Sequence, residues 1–145
     1  MKITRNSSFA IAITGLCYPA WVAAQVQLIT PDEASRPDGQ YILARAVTRG
    51  PSIQLESPRE VPASGFTFKL ALEAKGGALI DSKSLKIEYI KEPLADLTPR
   101  MTTYFQGSKL EIAQAKVPPG KHTLRIIIKD SEGRQTSQIV QLEAH

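Results

Sequence analysis

From residue 51 onward the chain alternates apolar and polar positions with a period of two, the mark of half-buried strands. Ile53 and Leu55 open a first strand that Pro58 ends, and Phe66, Phe68, Leu70 and Leu72 share one face of a second. Thr67, Lys69, Ala71 and Glu73 fall on the other face, before Gly76-Gly77 breaks the pattern. Leu85, Ile87 and Tyr89 alternate with Lys86 and Glu88 in a third strand. Residues 91 to 100 carry two prolines and read as a connection, followed by short strands at Thr102 to Phe105 and Leu110 to Ile112. Pro119 fixes the first central φ of a turn and Gly120 supplies the positive φ that a type II turn needs. His122 to Lys129 is the clearest strand, with Leu124, Ile126 and Ile128 on one face. Asp130-Ser131-Glu132-Gly133 is a hairpin signal with Gly133 at the left-handed position. The last strand spans about Gln135 to Leu142, with Val140 and Leu142 inward.

These seven short strands predict an all-β, immunoglobulin-like sandwich of antiparallel strands over 51–145. Its core is the inward set just named together with Leu110 and Ile112. At roughly 1.5–3 kcal/mol per buried large side chain, that set is sufficient to oppose chain entropy.

Residues 25 to 50 form a different region, a short N-terminal arm. Thr30-Pro31-Asp32-Glu33 has the layout of a helix start: Thr30 as cap, Pro31 at the first position and Glu33 closing a capping box. Pro37 and Gly39 keep the helix short, and Tyr41 to Val47 fits strand or helix equally. Arg49-Gly50-Pro51 marks the boundary with the sandwich.

Residues 1 to 24 have the three-part layout of a secretory signal peptide. Lys2 and Arg5 precede the apolar run Phe9 to Leu16, Tyr18-Pro19 breaks it, and Val22-Ala23-Ala24 predicts cleavage before Gln25. A spanning helix needs about 20 apolar residues, more than this run provides. Leu16 before Cys17 does not suit lipidation, which wants a small residue there.

Cleavage changes the charge picture. The full chain of 145 residues carries a formal charge of +4; without Lys2 and Arg5 it keeps 16 of its 18 basic residues against 14 acidic ones. That near-balance removes the main support for nucleic-acid binding or an anionic membrane surface. The only Cys is Cys17 and the only Trp is Trp21, so the mature chain has neither. Thiol catalysis, redox exchange and cysteine-based zinc sites are thereby excluded, and an exported domain must be held by its core rather than by disulfides.

The segment Pro118-Pro119-Gly120-Lys121-His122-Thr123-Leu124, followed by Asp130-Ser131-Glu132-Gly133-Arg134, resembles the last two strands of bacterial immunoglobulin-like domains. Ile53-Gln54-Leu55-Glu56-Ser57-Pro58 is similar to their first strand. Small exported proteins of Gram-negative bacteria share this look, with Arg49-Gly50-Pro51 and Asp96-Leu97-Thr98-Pro99-Arg100. A more distant likeness is to the CopC family of copper-resistance sandwiches. That resemblance implies a copper site built on imidazoles, often including one at the mature N-terminus. Here the mature chain starts at Gln25, its histidines are His122 and His145, and its one methionine is Met101. The ligands of that family are therefore missing, and His122 reads as a surface residue at a strand end.

Other chemistries fare no better. Asp130, Ser131 and Glu132 beside Asp81 or Asp96 offer oxygen ligands for calcium, but the same residues are the ordinary vocabulary of hairpin turns. Asp96 with Arg100 reads as a loop ion pair. Serine catalysis has only His122 as a base, and no carboxylate pair is singled out for glycoside hydrolysis. The expectation is a protein that is not an enzyme and uses no metal or cofactor.

Binding through a face or an edge remains. Ile127 breaks the alternation by sitting outward with Arg125 and Lys129, so something covers it: residues Tyr41 to Val47, or a partner. The connection Lys91 to Arg100 is the other candidate, giving a partner surface of Arg125, Ile127, Lys91, Asp96 and Arg100. The sequence thus predicts a periplasmic or secreted accessory module for another envelope or exported protein, with no nucleic acid and no membrane insertion after cleavage. A CopC-type metal carrier and a hydrolase inhibitor or chaperone-like binder are the rival readings.

Overall fold

Alternation becomes register where the strands pair. A computed structural model describes residues 24–42 and 49–145. The expected signal peptide therefore lies outside the described residues, Ala24 excepted, as do residues 43–47 of the ambiguous segment. Among the described residues no helix is long and apolar enough to cross a membrane.

Two sheets form an immunoglobulin-like sandwich. The first contains β1 (Val26–Gln27), β8 (Lys109–Lys116), β4 (Phe66–Glu73) and β2 (Ser52–Leu55) in that order, with β7 (Phe105–Gln106) also paired to β8. The second runs β3 (Glu60–Val61), β10 (Gln135–Ala144), β9 (Gly120–Asp130), β5 (Ile80–Tyr89), β6 (Ala95–Asp96). In constant-type immunoglobulin domains one sheet has the order A-B-E-D. Here β2, β4 and β8 stand for A, B and E, and the place beyond E is taken by β1 and β7. The opening strand also changes sheets: β2 pairs with β4, and β3, a few residues on, pairs with β10.

The sequence predicts antiparallel strands, and two of the pairings depart from that. β1 on β8 and β3 on β10 are parallel, each through two residue pairs. A second correction concerns Thr102 to Phe105. Pro99 stands in the first turn of the short helix α2 (Thr98–Met101), and a 3₁₀ turn over Thr102–Tyr104 continues it before the two-residue β7. The β-branched pair Thr102-Thr103 was a weak strand signal beside the helix-starting Thr98-Pro99. Asp96 accepts from the Thr98 amide, while the Thr98 hydroxyl accepts from the Ile87 amide, anchoring this turn to β5.

The expected core is buried throughout except for Leu55, which is half-buried. The arm adds to it. After β1, Leu28 and Ile29 are each 1% exposed and join the cluster between the sheets. The helix α1 (Pro31–Ser35) follows with the expected capping box: the Thr30 hydroxyl accepts from the Glu33 amide and the Glu33 carboxylate accepts from the Thr30 amide. The segment carrying α1 thus packs on the sandwich through Leu28 and Ile29, while Pro31, Asp32 and Ser35 of the helix are exposed.

Candidate interaction surface

The outward face of the second sheet is built by alternation. Glu88 of β5 lies between Arg125 of β9 and Asp96 of β6, and Lys86 lies opposite Ile127. Because paired residues point to the same side, Ile127 meets Ser137 of β10 and Arg125 meets Ile139. Ile127 and Ile139 are therefore diagonal neighbours on this face, within reach of each other. Both are half-buried. Ile139 was overlooked in the sequence because Val140 and Leu142 drew attention to the inward register.

Charge orders the rest of the face. The Glu88 carboxylate is buried and accepts from Arg125 Nε at 2.6 Å, with Arg125 Nη2 also in contact; Lys86 Nζ stands 2.6 Å from its other oxygen. Burial raises the Glu88 pKa, but the hydrogen bonds from Lys86 and Arg125 outweigh it and hold the carboxyl below its usual range. Asp96 is exposed, and hydrogen bonding from Thr98, its side chain first and then its amide, lowers its pKa.

Of the expected partner surface, then, Arg125, Ile127 and Asp96 come together. Lys91 and Arg100 do not. Lys91 is only 7% exposed; its ammonium lies 5.5 Å over the Tyr89 ring and 2.5 Å from Asp38. Arg100 pairs with Glu33 and not with Asp96, donating to both carboxylate oxygens at 2.8 Å and to the Leu28 carbonyl at 3.1 Å. This fork, followed by the Thr30 hydrogen bonds, brings the Glu33 pKa down to about 2 against the cost of burial. Both cations of the connection are thus engaged by the chain's own N-terminal segment. Sequence reasoning missed this because Glu33 and Asp38 lie more than fifty residues upstream.

Tyr41 reaches the outward face, where its hydroxyl accepts from Gln141, two residues from Ile139. The remaining residues expected to cover Ile127, 43–47, lie outside the described ones.

His122 is buried, contrary to its expected surface place. Leu142 of β10 pairs with it, and the register turns its ring inward. Nε2 lies 2.7 Å from the Pro118 carbonyl and Nδ1 lies 2.9 Å from the Tyr89 hydroxyl. A carbonyl only accepts, so Nε2 carries the proton and Nδ1 accepts from Tyr89. Burial lowers the His122 pKa, with Lys91 adding to the effect; burial also pushes the Tyr89 hydroxyl up to about 12. Tyr89→Phe leaves Nδ1 without a donor and is expected to cost about 1–3 kcal/mol of stability. The check is a lower urea midpoint with an unchanged slope; equal midpoints would show that the pair does not form.

Two open grooves lie among the described residues. One of 520 Å³ lies over Tyr104, Gln106–Lys109 and Glu111. The other, 350 Å³, is lined by Arg59, Glu60, Lys121, His122, Thr123 and Glu143 among others. In the second, both ring nitrogens of His122 are already engaged, so it is not poised to take a proton from Thr123. The Asp130 carboxylate is spent inside its own hairpin, on the amides of Glu132 and Arg134 and on Arg134 Nε at 2.7 Å. Among the described residues no three His, Cys, Asp or Glu side chains come together as a metal site.

No protein-family profile and no curated protein matches the chain. Among solved structures it is similar to CopC from Methylosinus trichosporium OB3b, with 11% identity and a TM-score of 0.41, over 64% of this chain and 88% of that one. It is also similar to the fibronectin(III)-like modules of Clostridium thermocellum CbhA, with 17% identity and a TM-score of 0.37. That match covers 65% of this chain and 46% of the other.

Proposed function

We propose that this chain is an exported, non-catalytic binding module of the bacterial envelope, periplasmic or secreted, that engages another envelope or exported protein through the outward face of β5, β9 and β10. The observation that carries the reading is the pair Ile127 and Ile139 set beside the ordered Lys86–Glu88–Arg125 ion pairs. An apolar spot within a polar rim is the anatomy of a protein interface. Arginine on such a face is a favoured anchor residue, and Glu88 already holds Arg125 in place. Export rests on the pattern of residues 1–24.

The experiment is a pull-down with tagged residues 25–145 from a crosslinked envelope extract of the source cells. A single enriched partner is expected, lost when Ile127→Asp is combined with Arg125→Ala and kept when Gln54→Asp is introduced. Gln54 is exposed on β2 of the other sheet, so it controls for surface change in general. A partner retained by the double variant, or no partner with the bait folded, overturns the reading.

A further inference from the structure

One long side of β10 is open. The strand pairs with β9 along its whole length, from Gln135 and Lys129 to Ala144 and Gly120, with no register shift. On its other side β3 covers it only at Glu143 and Ala144. There the Glu143 amide donates to the Arg59 carbonyl at 2.7 Å and the His145 amide to the Val61 carbonyl at 3.0 Å. Backbone groups alternate between the two sides of a strand. Gln141, Ile139 and Ser137 therefore turn theirs the same way, where no strand stands among the described residues. At the far end Gly50 lies against Gln135: a Cβ there would stand 3.1 Å from the Gln135 carbonyl oxygen. Sheet edges are ordinarily guarded by charge, proline, brevity or a bulge. Other edges of this sandwich follow that rule: β2 runs between Pro51 and Pro58, β6 has two residues, and β8 has a register shift and an exposed Glu111. Gln135 to Leu142, in contrast, contains no charged residue, proline or glycine, and no bulge.

We infer that this edge pairs antiparallel with the same edge of a second copy, joining their second sheets into one. Gln135 and Glu143 bound the open run, and its midpoint is Ile139. A two-fold axis at that point sets Ile139 opposite Ile139 of the second copy and Ser137 opposite its Gln141, each pair exchanging both backbone hydrogen bonds. The side chains select this occupant. Edge amides and carbonyls already bonded to water gain little from a new strand, so the apolar contact decides. Facing Cβ atoms on paired strands are about 4.5–5.5 Å apart, which brings the two Ile139 side chains together, each with Ile127 as its diagonal neighbour. Ser137 and Gln141 flank them without charge, so the strand meets its own copy with no like-charge clash. Such a pair is closed, because each copy uses the same patch and the edges named above are guarded. The inference goes beyond the binding reading above and is independent of it, since pairing at the edge leaves the outward face open to a partner.

Sedimentation velocity over a concentration series tests it, on the chain as the cell produces it in a Cys17→Ser background, which has no other thiol. A dimer is expected. Ile139→Lys sets like charges opposite each other and is expected to weaken it by about tenfold or more. Ser137→Pro removes an edge amide while sparing the ladder with β9, and is expected to weaken it too, so a misfolded Ile139→Lys would not decide the matter. On oxidation Ile139→Cys is expected to link two copies, because facing Cα atoms about 5.5 Å apart suit a disulfide. Its yield should exceed that of Gln54→Cys, on the other sheet, by about tenfold. A monomer at every concentration overturns the inference, and protection of the Ser137 and Ile139 amides from hydrogen exchange in that monomer would give the edge to the chain's own residues 43–47. A dimer indifferent to both edge variants, with no excess of linked Ile139→Cys, overturns it as well.

Discussion

Leu28→Ala is expected to destabilise the protein by about 3 kcal/mol, as much as a substitution in the middle of a long strand. Leu28 is 1% exposed and lies within the cluster that joins the two sheets. Its removal leaves a cavity bounded by residues that cannot all move in, because their backbones are fixed by ladders on both sides. Ile42→Ala, in the same N-terminal region, is expected to change nothing measurable, since the side chain is already in water. Chemical denaturation of both variants at neutral pH separates the two cases. If the segment merely rested on the surface, Leu28→Ala would be as silent as Ile42→Ala.

The same residue shows where sequence reasoning reaches its limit. From residue 51 the two-residue period gave the inward and outward faces directly, and Phe66 to Leu72, Ile87, Tyr89 and Leu124 to Ile128 all lie where that period puts them. Turn chemistry was equally legible: Gly120 and Gly133 have positive φ, and the Thr30–Glu33 capping box forms as its spacing demands. Leu28 and Ile29, in contrast, are two apolar residues in succession with no period around them. Only the sheet they enter, made by β8 almost ninety residues later, decides that both are buried. Parallel pairing of two residues has no hairpin to announce it, so β1 and β3 were invisible.

Charged residues on the candidate surface follow the same logic. Local pairs such as Asp130 with Arg134 can be read from a turn, and Lys86 with Glu88 from two residues on one face of a strand. Glu33 with Arg100 and Asp38 with Lys91 cannot, because they depend on where the N-terminal segment docks. Asp96 and Arg100 are four apart, which suggested a pair, but the start of α2 turns Asp96 toward the Thr98 amide and Arg100 toward Glu33 and the Leu28 carbonyl. His122 illustrates burial of the same kind: its place next to a turn suggested solvent, while its register opposite Leu142 sends it inward.

Stability is expected to fall in two stages as the solution is acidified; Glu33 contributes to the second together with Glu88, Asp96 and Asp130, whose carboxyls the fold also holds below their usual range. In the unfolded chain a glutamate titrates near 4.5; in the fold, the Arg100 hydrogen bonds hold Glu33 at about 2. At about 1.4 kcal/mol per unit, that difference corresponds to about 3 kcal/mol. A depressed carboxyl pKa means the unfolded state takes up the proton first. The contribution is therefore complete above pH 4.5 and lost as pH falls from 4.5 through 2. His122 sets the earlier stage with the opposite charge type. Its neutral ring is fully bonded between Tyr89 and Pro118, and burial lowers its pKa. The unfolded histidine protonates near 6.5 while the folded one resists, so stability is complete above 6.5 and declines below it. Urea midpoints measured from pH 7 to pH 3 test both. Glu33→Gln is expected to weaken the fold at pH 7 and to flatten the fall below 4.5, leaving the decline below 6.5 in place. An unchanged slope below 4.5 in Glu33→Gln would mean that the fork with Arg100 does not hold the N-terminal segment in solution.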